Sequence, residues 1–193
     1  MKYFIQVTLS VYVASMLVYT LWSYITFQTL DQGWVGSLVY LPHGCRVLFY
    51  CFFGFRALPA LYLAEITGPA LVWEDQYLSY WGFASICSLL SVVIAVEVLK
   101  WSSVSTFTYS LLKKINFANY KFLIFVIIIS ALINSIFTNL IIGALNDIDI
   151  NIIVVTRFFI GDMFGSVVFI TWLMIMFNML RDRRLYPIQD DNP

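Results

Sequence analysis

Charged side chains are scarce in this chain of 193 residues: they make up 11% of it, against about a quarter of a typical soluble domain. Hydrophobic residues make up 61%. A chain this apolar has too little polar surface for a water-soluble fold, so the composition predicts an integral membrane protein. The 11 basic and 11 acidic residues balance, and no basic run indicates a nucleic-acid partner.

Histidine and cysteine are also rare, with one of the former and three of the latter. The sequence has no CxxC or Cys/His spacing, so we expect no metal site. Cys45, Cys51 and Cys87 lie in apolar segments and read as small packing residues. There is no Ser–His–Asp set, HExxH or GxSxG motif, and Asp162 is the only aspartate within a predicted span. We therefore expect no enzyme and no cofactor.

Long apolar runs fill most of the chain. They predict an all-α membrane bundle of about six transmembrane helices, forming one domain over residues 1–180 with a short polar cytoplasmic tail over 181–193. The first run is too long for the apolar part of a signal peptide and is expected to remain as a helix. The predicted spans are Tyr3–Phe27, Trp34–Phe53, Ala57–Trp73, Tyr77–Leu99, Lys121–Leu145 and Ile150–Leu180.

Lysine and arginine residues lie at one set of span ends and are absent from the opposite set. Under the positive-inside rule, this distribution of lysine and arginine predicts that both termini are cytoplasmic. The basic residues at the predicted cytoplasmic ends are Lys2, Arg56, Lys100, Lys113, Lys114, Lys121, Arg181, Arg183 and Arg184.

The long connection between the fourth and fifth spans, Lys100 to Tyr120, mixes basic and aromatic residues and is expected to lie in the headgroup region.

The stretch from Leu41 to Glu65 departs from a simple span. Pro42 and Gly44 predict a break in the second helix, because proline removes a backbone donor. Freed backbone groups at membrane depth need protein or water partners, so the break should face the interior. His43 within it is either a pH-responsive ligand or a neutral cap for the freed backbone.

Charged residues within the spans converge on one level. Counting along the helices places Arg46, Glu65 and Asp162 roughly 16–18 Å deep, with the longer Arg157 side chain about 10 Å deep and in reach. Two arginines and two carboxylates balance, which predicts an intramembrane ion-pair cluster that includes His43. Such a cluster could pin helices together, bind or sense a ligand, or carry protons or ions.

Two glycines flank the aspartate of this cluster. Gly161 and Gly165 are four residues apart, a spacing that lets helices approach closely. Asn134 and Asn139, within the fifth span, are expected to form interhelical hydrogen bonds rather than to bind a substrate.

The segment LPHGCRVLFYCFFGFRALPALYLAE, at 41–65, resembles the early part of the membrane-associated sensor domain of bacterial signalling proteins, in its first class. The Pro–x–Gly step at Pro42 and Gly44, the later Gly54 with Pro59, and the Gly–Asp–x–x–Gly step at 161–165 carry the resemblance. The resemblance implies a multi-pass protein of the bacterial inner membrane with a sensor role. That family has about eight helices before a cytoplasmic output domain, whereas this chain has about six predicted spans and a short tail. Output would therefore come from a partner protein.

Other function classes stay open at this point. Six helices in about 190 residues resemble the size of vitamin-binding subunits of energy-coupling-factor transporters. A structural subunit of a larger membrane complex is the third interpretation. The expected partners are the lipid bilayer, a protein in the membrane or the cytoplasm, and, for the first two classes, a small-molecule ligand.

Overall fold

The computed structural model describes residues 2–29, 37–72, 80–102 and 117–185. Within these ranges every regular element is helical, which confirms the predicted all-α class for this part of the chain. Most of the predicted headgroup segment, at 103–116, lies outside the described residues. The elements are α1 (Lys2–Thr29), α2 (Leu41–Phe53), a 3-10 turn (Gly54–Arg56), α3 (Leu58–Val72), α4 (Trp81–Trp101), α5 (Phe117–Asn146) and α6 (Ile152–Leu185).

Four of the helices are long and apolar enough to cross a membrane, as expected of a multi-pass membrane protein. Their apolar stretches are Tyr3–Thr26, Trp81–Trp101, Lys121–Asn146 and Ile152–Phe177. α2 and α3 have 13 and 15 residues, and so measure about 20 and 22 Å, less than the roughly 30 Å of a bilayer core. Six crossings therefore remain a prediction. α6 also continues past the predicted boundary at residue 180.

The beginning of α2 differs from the predicted second span. Residues 37–40 are not helical, and α2 begins at Leu41 with Pro42 in its first turn. A proline there leaves no helical hydrogen bond unmade, because the first N–H groups have no intrahelical partner. Pro42 and Gly44 thus start a helix in the described residues instead of interrupting one. Both are buried, as is His43.

α2 and α3 form a hairpin. Gly54 ends α2 with a φ of 58°, a conformation that glycine adopts without strain, and the 3-10 turn leads directly into α3. The Arg56 guanidinium lies 5.5 Å from the centre of the Tyr3 ring, so the turn sits beside the start of α1. Gly68 packs against Tyr19 further along, which makes α1 and α3 parallel.

Successive helices alternate in direction along the chain. In each neighbouring pair, residue numbers rise on one helix as they fall on the other, so the start of α1 and the end of α6 lie at one end of the bundle. We name the two ends after residues of α1, the Tyr3 end and the Trp22 end. The contacts that establish this order include Trp22–Tyr40 with Ser15–Cys45, Trp81–Glu65 with Leu61–Leu89, and Asn134–Asp162 with Gly143–Ile150.

The apolar core gathers around the second half of α2. We name this group the apolar cluster; its members on α2 are Val47 and Tyr50, which pack against α4 and α5. The remaining buried members are Val92, Ala95, Val96, Leu99, Phe122, Leu123, Val126 and Ile127. The first half of α2, towards the Trp22 end, instead carries buried polar side chains, and these form the site.

Candidate intramembrane polar site

Arg46 is the centre of the buried polar residues, with 1% of its surface exposed. Its Nε and Nη2 both donate to Oε1 of Glu65, at 3.2 and 2.5 Å. Its Nη1 donates to the Ser88 backbone oxygen at 3.5 Å and to Nδ1 of His43 at 3.3 Å. His43 and Arg46 lie three residues apart, on one face of α2. One of the predicted contacts, between Arg46 and Glu65, is therefore present.

His43 is fully buried and bonded through both ring nitrogens. Its Nε2 lies 3.0 Å from Oγ of Ser130, and that hydroxyl donates its one proton to the Ile127 backbone oxygen at 3.2 Å. The hydroxyl therefore accepts from Nε2–H, while Nδ1 accepts from Arg46. This pattern assigns the neutral histidine, protonated on Nε2.

Asp162 joins α6 to the same group of residues. Its Oδ2 lies 3.5 Å from His43 Nδ1 and accepts a hydrogen bond from Nδ2 of Asn134 at 2.6 Å. Thr138 donates to Oδ1 of that asparagine at 2.8 Å, which fixes the amide orientation. Asn134 thus forms the expected interhelical bond, whereas Asn139 donates to Ser135 of its own helix.

Together these residues form one group of buried polar groups across five helices, α2 to α6, in which Asp162 lies beside neutral His43 without a hydrogen bond to it. We name it the polar network; its members are His43, Arg46, Glu65, Ser88, Ser130, Asn134, Thr138 and Asp162. With histidine neutral, the network has one guanidinium and two carboxyl groups, and the guanidinium is paired with Glu65. Groups this buried are stable only when paired and hydrogen-bonded.

A cavity of about 50 Å³ borders the polar network. That space holds roughly three or four waters, since one needs about 10–15 Å³ by the same measure. Oε2 of Glu65 and Oδ1 of Asp162 have no hydrogen-bond partner among the described residues, yet neither is an enclosed orphan atom. Both residues line the cavity. Its other walls come from Tyr19, Trp22, Ser37, Tyr40, Arg46, Trp81, Ala84, Ser85, Ser88, Asn134, Thr138 and Phe158.

The non-helical segment 37–40 closes one side of this cavity. The Tyr40 N–H donates to the Gly161 backbone oxygen at 2.9 Å, and the Trp22 indole donates to the Val39 backbone oxygen at 2.6 Å. A Cβ on Gly161 would overlap Ser37, and one on Gly165 would overlap the Tyr40 backbone. The predicted close approach at these glycines is therefore made by segment 37–40.

Gly44 allows α2 itself to approach α6. A Cβ on Gly44 would lie 2.7 Å from the Ser166 Cα and 3.1 Å from the Phe169 ring. Gly44 thus sets the position of the first turn of α2, which carries His43 towards Asp162.

Sequence reasoning placed Arg157 in this cluster, and none of the contacts described above involves it. Arg157 is half-buried, and the acidic partner of Arg46 is Glu65. Five residues at about 100° each turn Arg157 about 140° around α6 from Asp162. Two residues at the same depth in the membrane therefore need not be in contact, because they can lie on different faces of their helices.

Sequence reasoning did not assign Ser88, Ser130, Asn134 and Thr138 to the site, although the sequence contains a signal for the last three. Ser130, Asn134 and Thr138 recur every four residues, so they share one face of α5. Ser88 contributes only a backbone oxygen, for which the sequence carries no signal.

Comparison of this chain with protein families, curated proteins and solved structures finds no match.

Proposed function

We propose that this chain is a membrane-embedded, sensor-like module that binds a small polar ligand in its buried site and acts through a protein partner. The observation that supports the proposal most directly is the cavity beside the polar network. It offers two carboxylate oxygens, Glu65 Oε2 and Asp162 Oδ1, that the described residues leave without partners.

A purely structural role explains these atoms less well. Networks that only join helices satisfy their buried polar atoms internally, because unmet groups at low dielectric are costly. Here the Arg46–Glu65 pair already joins α2 to α3, and Asp162 with Asn134 joins α6 to α5. Joining the helices requires neither the two carboxyl oxygens without partners nor the cavity beside them.

Segment 37–40 provides a route from ligand to partner. Ser37 and Tyr40 line the cavity, and the segment is attached to α1 through Trp22 and to α6 through Gly161. A ligand that pushes or draws this segment therefore acts on two membrane-length helices at once. Those helices also expose apolar side chains, such as Leu17 on α1 and Val167 on α6, where a second protein in the membrane could pack.

The location belongs to the same proposal. We place the chain in a bacterial inner membrane with six crossings and both termini in the cytoplasm. Basic residues at one set of predicted span ends support this orientation, as does the alternating direction of the helices.

The vitamin-binding alternative is less well supported. Ligand sites for molecules of that size have volumes of about 300–1,000 Å³, whereas this cavity measures about 50 Å³. A structural subunit remains the alternative that the following experiment separates from ligand binding.

The test asks whether small solutes reach the cavity in the folded protein. Ser85 lines it, whereas Ser91, on the same helix, is equally buried but is absent from its lining. In a background with the three native cysteines changed to alanine, Ser85→Cys should react with a small methanethiosulfonate reagent. Ser91→Cys should not react. Equal, negligible labelling of both variants would mean that the cavity is sealed and that the network is structural.

A further inference from the structure

The polar network contains two carboxyl groups and one cation. Arg46 is paired with Glu65, while the Asp162 carboxyl group has no cationic partner, because the hydrogen bonds of His43 assign its neutral form. Among the described residues lining the cavity, Arg46 is the only cation. A positively charged occupant would supply the cationic partner that Asp162 lacks.

The hydrogen-bonding groups that have no partner also indicate a positively charged occupant. The guanidinium of Arg46 directs four N–H contacts to Glu65 Oε1, the Ser88 oxygen and His43 Nδ1, which leaves one N–H over. The carboxyl groups of Glu65 and Asp162, in contrast, both line the cavity, and their Oε2 and Oδ1 atoms have no hydrogen-bond partner among the described residues. An occupant that donates hydrogen bonds therefore fits better than one that accepts them.

Aromatic rings form much of the remaining wall, and three of them are held in place. The Trp22 indole is bonded to Val39 and meets the Tyr40 ring edge to face at 4.9 Å. The Trp81 indole is bonded to the Glu65 backbone oxygen at 2.9 Å. Aromatic faces attract organic cations through their quadrupoles. Inorganic cations instead need more oxygen ligands, about six for sodium-like or calcium-like ions, and the described residues contain no cluster of three acidic, histidine or cysteine ligands.

From these observations we infer that the ligand is a small organic cation, a primary amine or methylated ammonium of a few heavy atoms. Its ammonium group contacts Glu65 Oε2 and Asp162 Oδ1, and its carbon atoms face the rings of Trp22, Tyr40 and Trp81. The size follows from the cavity, which holds the equivalent of three or four waters. This inference rests on the proposed function, since it names the class of ligand for the same site.

The probe is methylammonium chloride, exchanged for sodium chloride at constant ionic strength, with the full chain purified in a neutral detergent. The melting temperature should rise with methylammonium and saturate, because a ligand that binds only the folded state stabilises it. Methanol, a neutral solute of the same size, and sodium formate, an anion, should have no such effect. Tetraethylammonium, which exceeds the cavity, should act more weakly than methylammonium.

Three variants locate the effect. Asp162→Asn removes the carboxyl group that lacks a cationic partner and should weaken methylammonium binding at least tenfold. Ser85→Val fills the cavity without changing any charge and should also abolish the shift, which keeps the test valid if the first variant fails to fold. Glu97→Gln removes a carboxylate that is half-exposed and paired with Lys100 at the other end of α4, and should bind like the unchanged protein.

The outcomes separate the two proposals. The amine inference is wrong if methylammonium raises the melting temperature no more than sodium does. It is also wrong if the rise persists in Ser85→Val. If formate or methanol stabilises the protein and Ser85→Val abolishes that effect, the site binds ligands of another class and the proposed function survives. If no solute acts and Ser85→Cys is also unlabelled, both proposals fail.

Discussion

α2 contributes two different kinds of core within a few turns. Its second half places Val47 and Tyr50 among aliphatic side chains of α4 and α5, while its first half places His43 and Arg46 among the polar groups of the same helices and of α3 and α6. All four of these side chains are buried. They differ in what each side chain needs from its neighbours: shape in one case, and a specific partner atom in the other.

This difference determines how each half responds to change. In lipid, helices gain little from hiding apolar surface, so the apolar cluster depends on close packing and should lose stability in small, local steps. In the polar network, removing one member leaves its partner without compensation at low dielectric. Variants in the two halves should therefore differ in size and in additivity.

The largest effect is expected for Arg46→Met. The variant leaves the Glu65 carboxylate without its ion-pair partner, and breaking a buried pair typically costs about 3–5 kcal/mol. Adding Glu65→Leu should restore part of that loss. A double-mutant cycle on unfolding in detergent measures the coupling. The control is the half-exposed pair of Lys100 and Glu97, where about 0–1 kcal/mol is expected. Coupling equal to the control would show that Arg46 and Glu65 are solvated separately.

The next largest effect is expected for Gly165→Ala. Its Cβ would overlap the backbone of Tyr40, so either segment 37–40 or α6 must move, at a cost of about 1–3 kcal/mol. Gly82→Ala is the matched control, because the nearest atom to its Cβ is the mobile Tyr62 hydroxyl, at 3.3 Å. Melting temperatures of both variants provide the measurement. Similar values would mean that segment 37–40 is not held tightly against α6.

A smaller loss is expected in the apolar cluster. Ile127→Val removes one buried methylene and should cost about 0.5–1.5 kcal/mol. Ile124→Val makes the same change on the same helix at a position that is 52% exposed, so its cost should be close to zero. If the two variants lose equal stability, packing at residue 127 is no tighter than contact with detergent.

The last prediction changes no stability and concerns which end of the bundle is cytoplasmic. A reporter fused after Pro193 should behave as cytoplasmic, and one inserted at the exposed Asp147 should behave as periplasmic. Finding both reporters on one side of the membrane would refute the six-crossing topology.

The sequence predicted the helical class and much of the site, because charged residues in apolar runs are conspicuous. Counting residues brought Arg46, Glu65 and Asp162 to one level, and the structure places them within one network. Counting depth ignores the angle around the helix axis, which is why Arg157 was included. Proline was ambiguous for a similar reason: Pro42 is compatible with a broken helix and with a helix that starts inside the bundle.

Other features lay beyond reasoning from the sequence. The cavity depends on how all six helices and segment 37–40 meet, and this non-helical segment has no periodic pattern that would indicate it. The role of Gly161 and Gly165 was recognised as close approach, but their spacing did not identify what approaches.

The hairpin of α2 and α3 has a consequence for the order of assembly. Arg46 and Glu65 are 19 residues apart and are joined by a 3-10 turn, so they can meet while most of the chain is still being synthesised. The loop they close is short, and its entropic cost is correspondingly low. The two helices can then enter the bilayer as one electrically neutral unit. Asp162 arrives only with α6, so the second carboxyl group joins the site after the ion pair of α2 and α3 can already have formed.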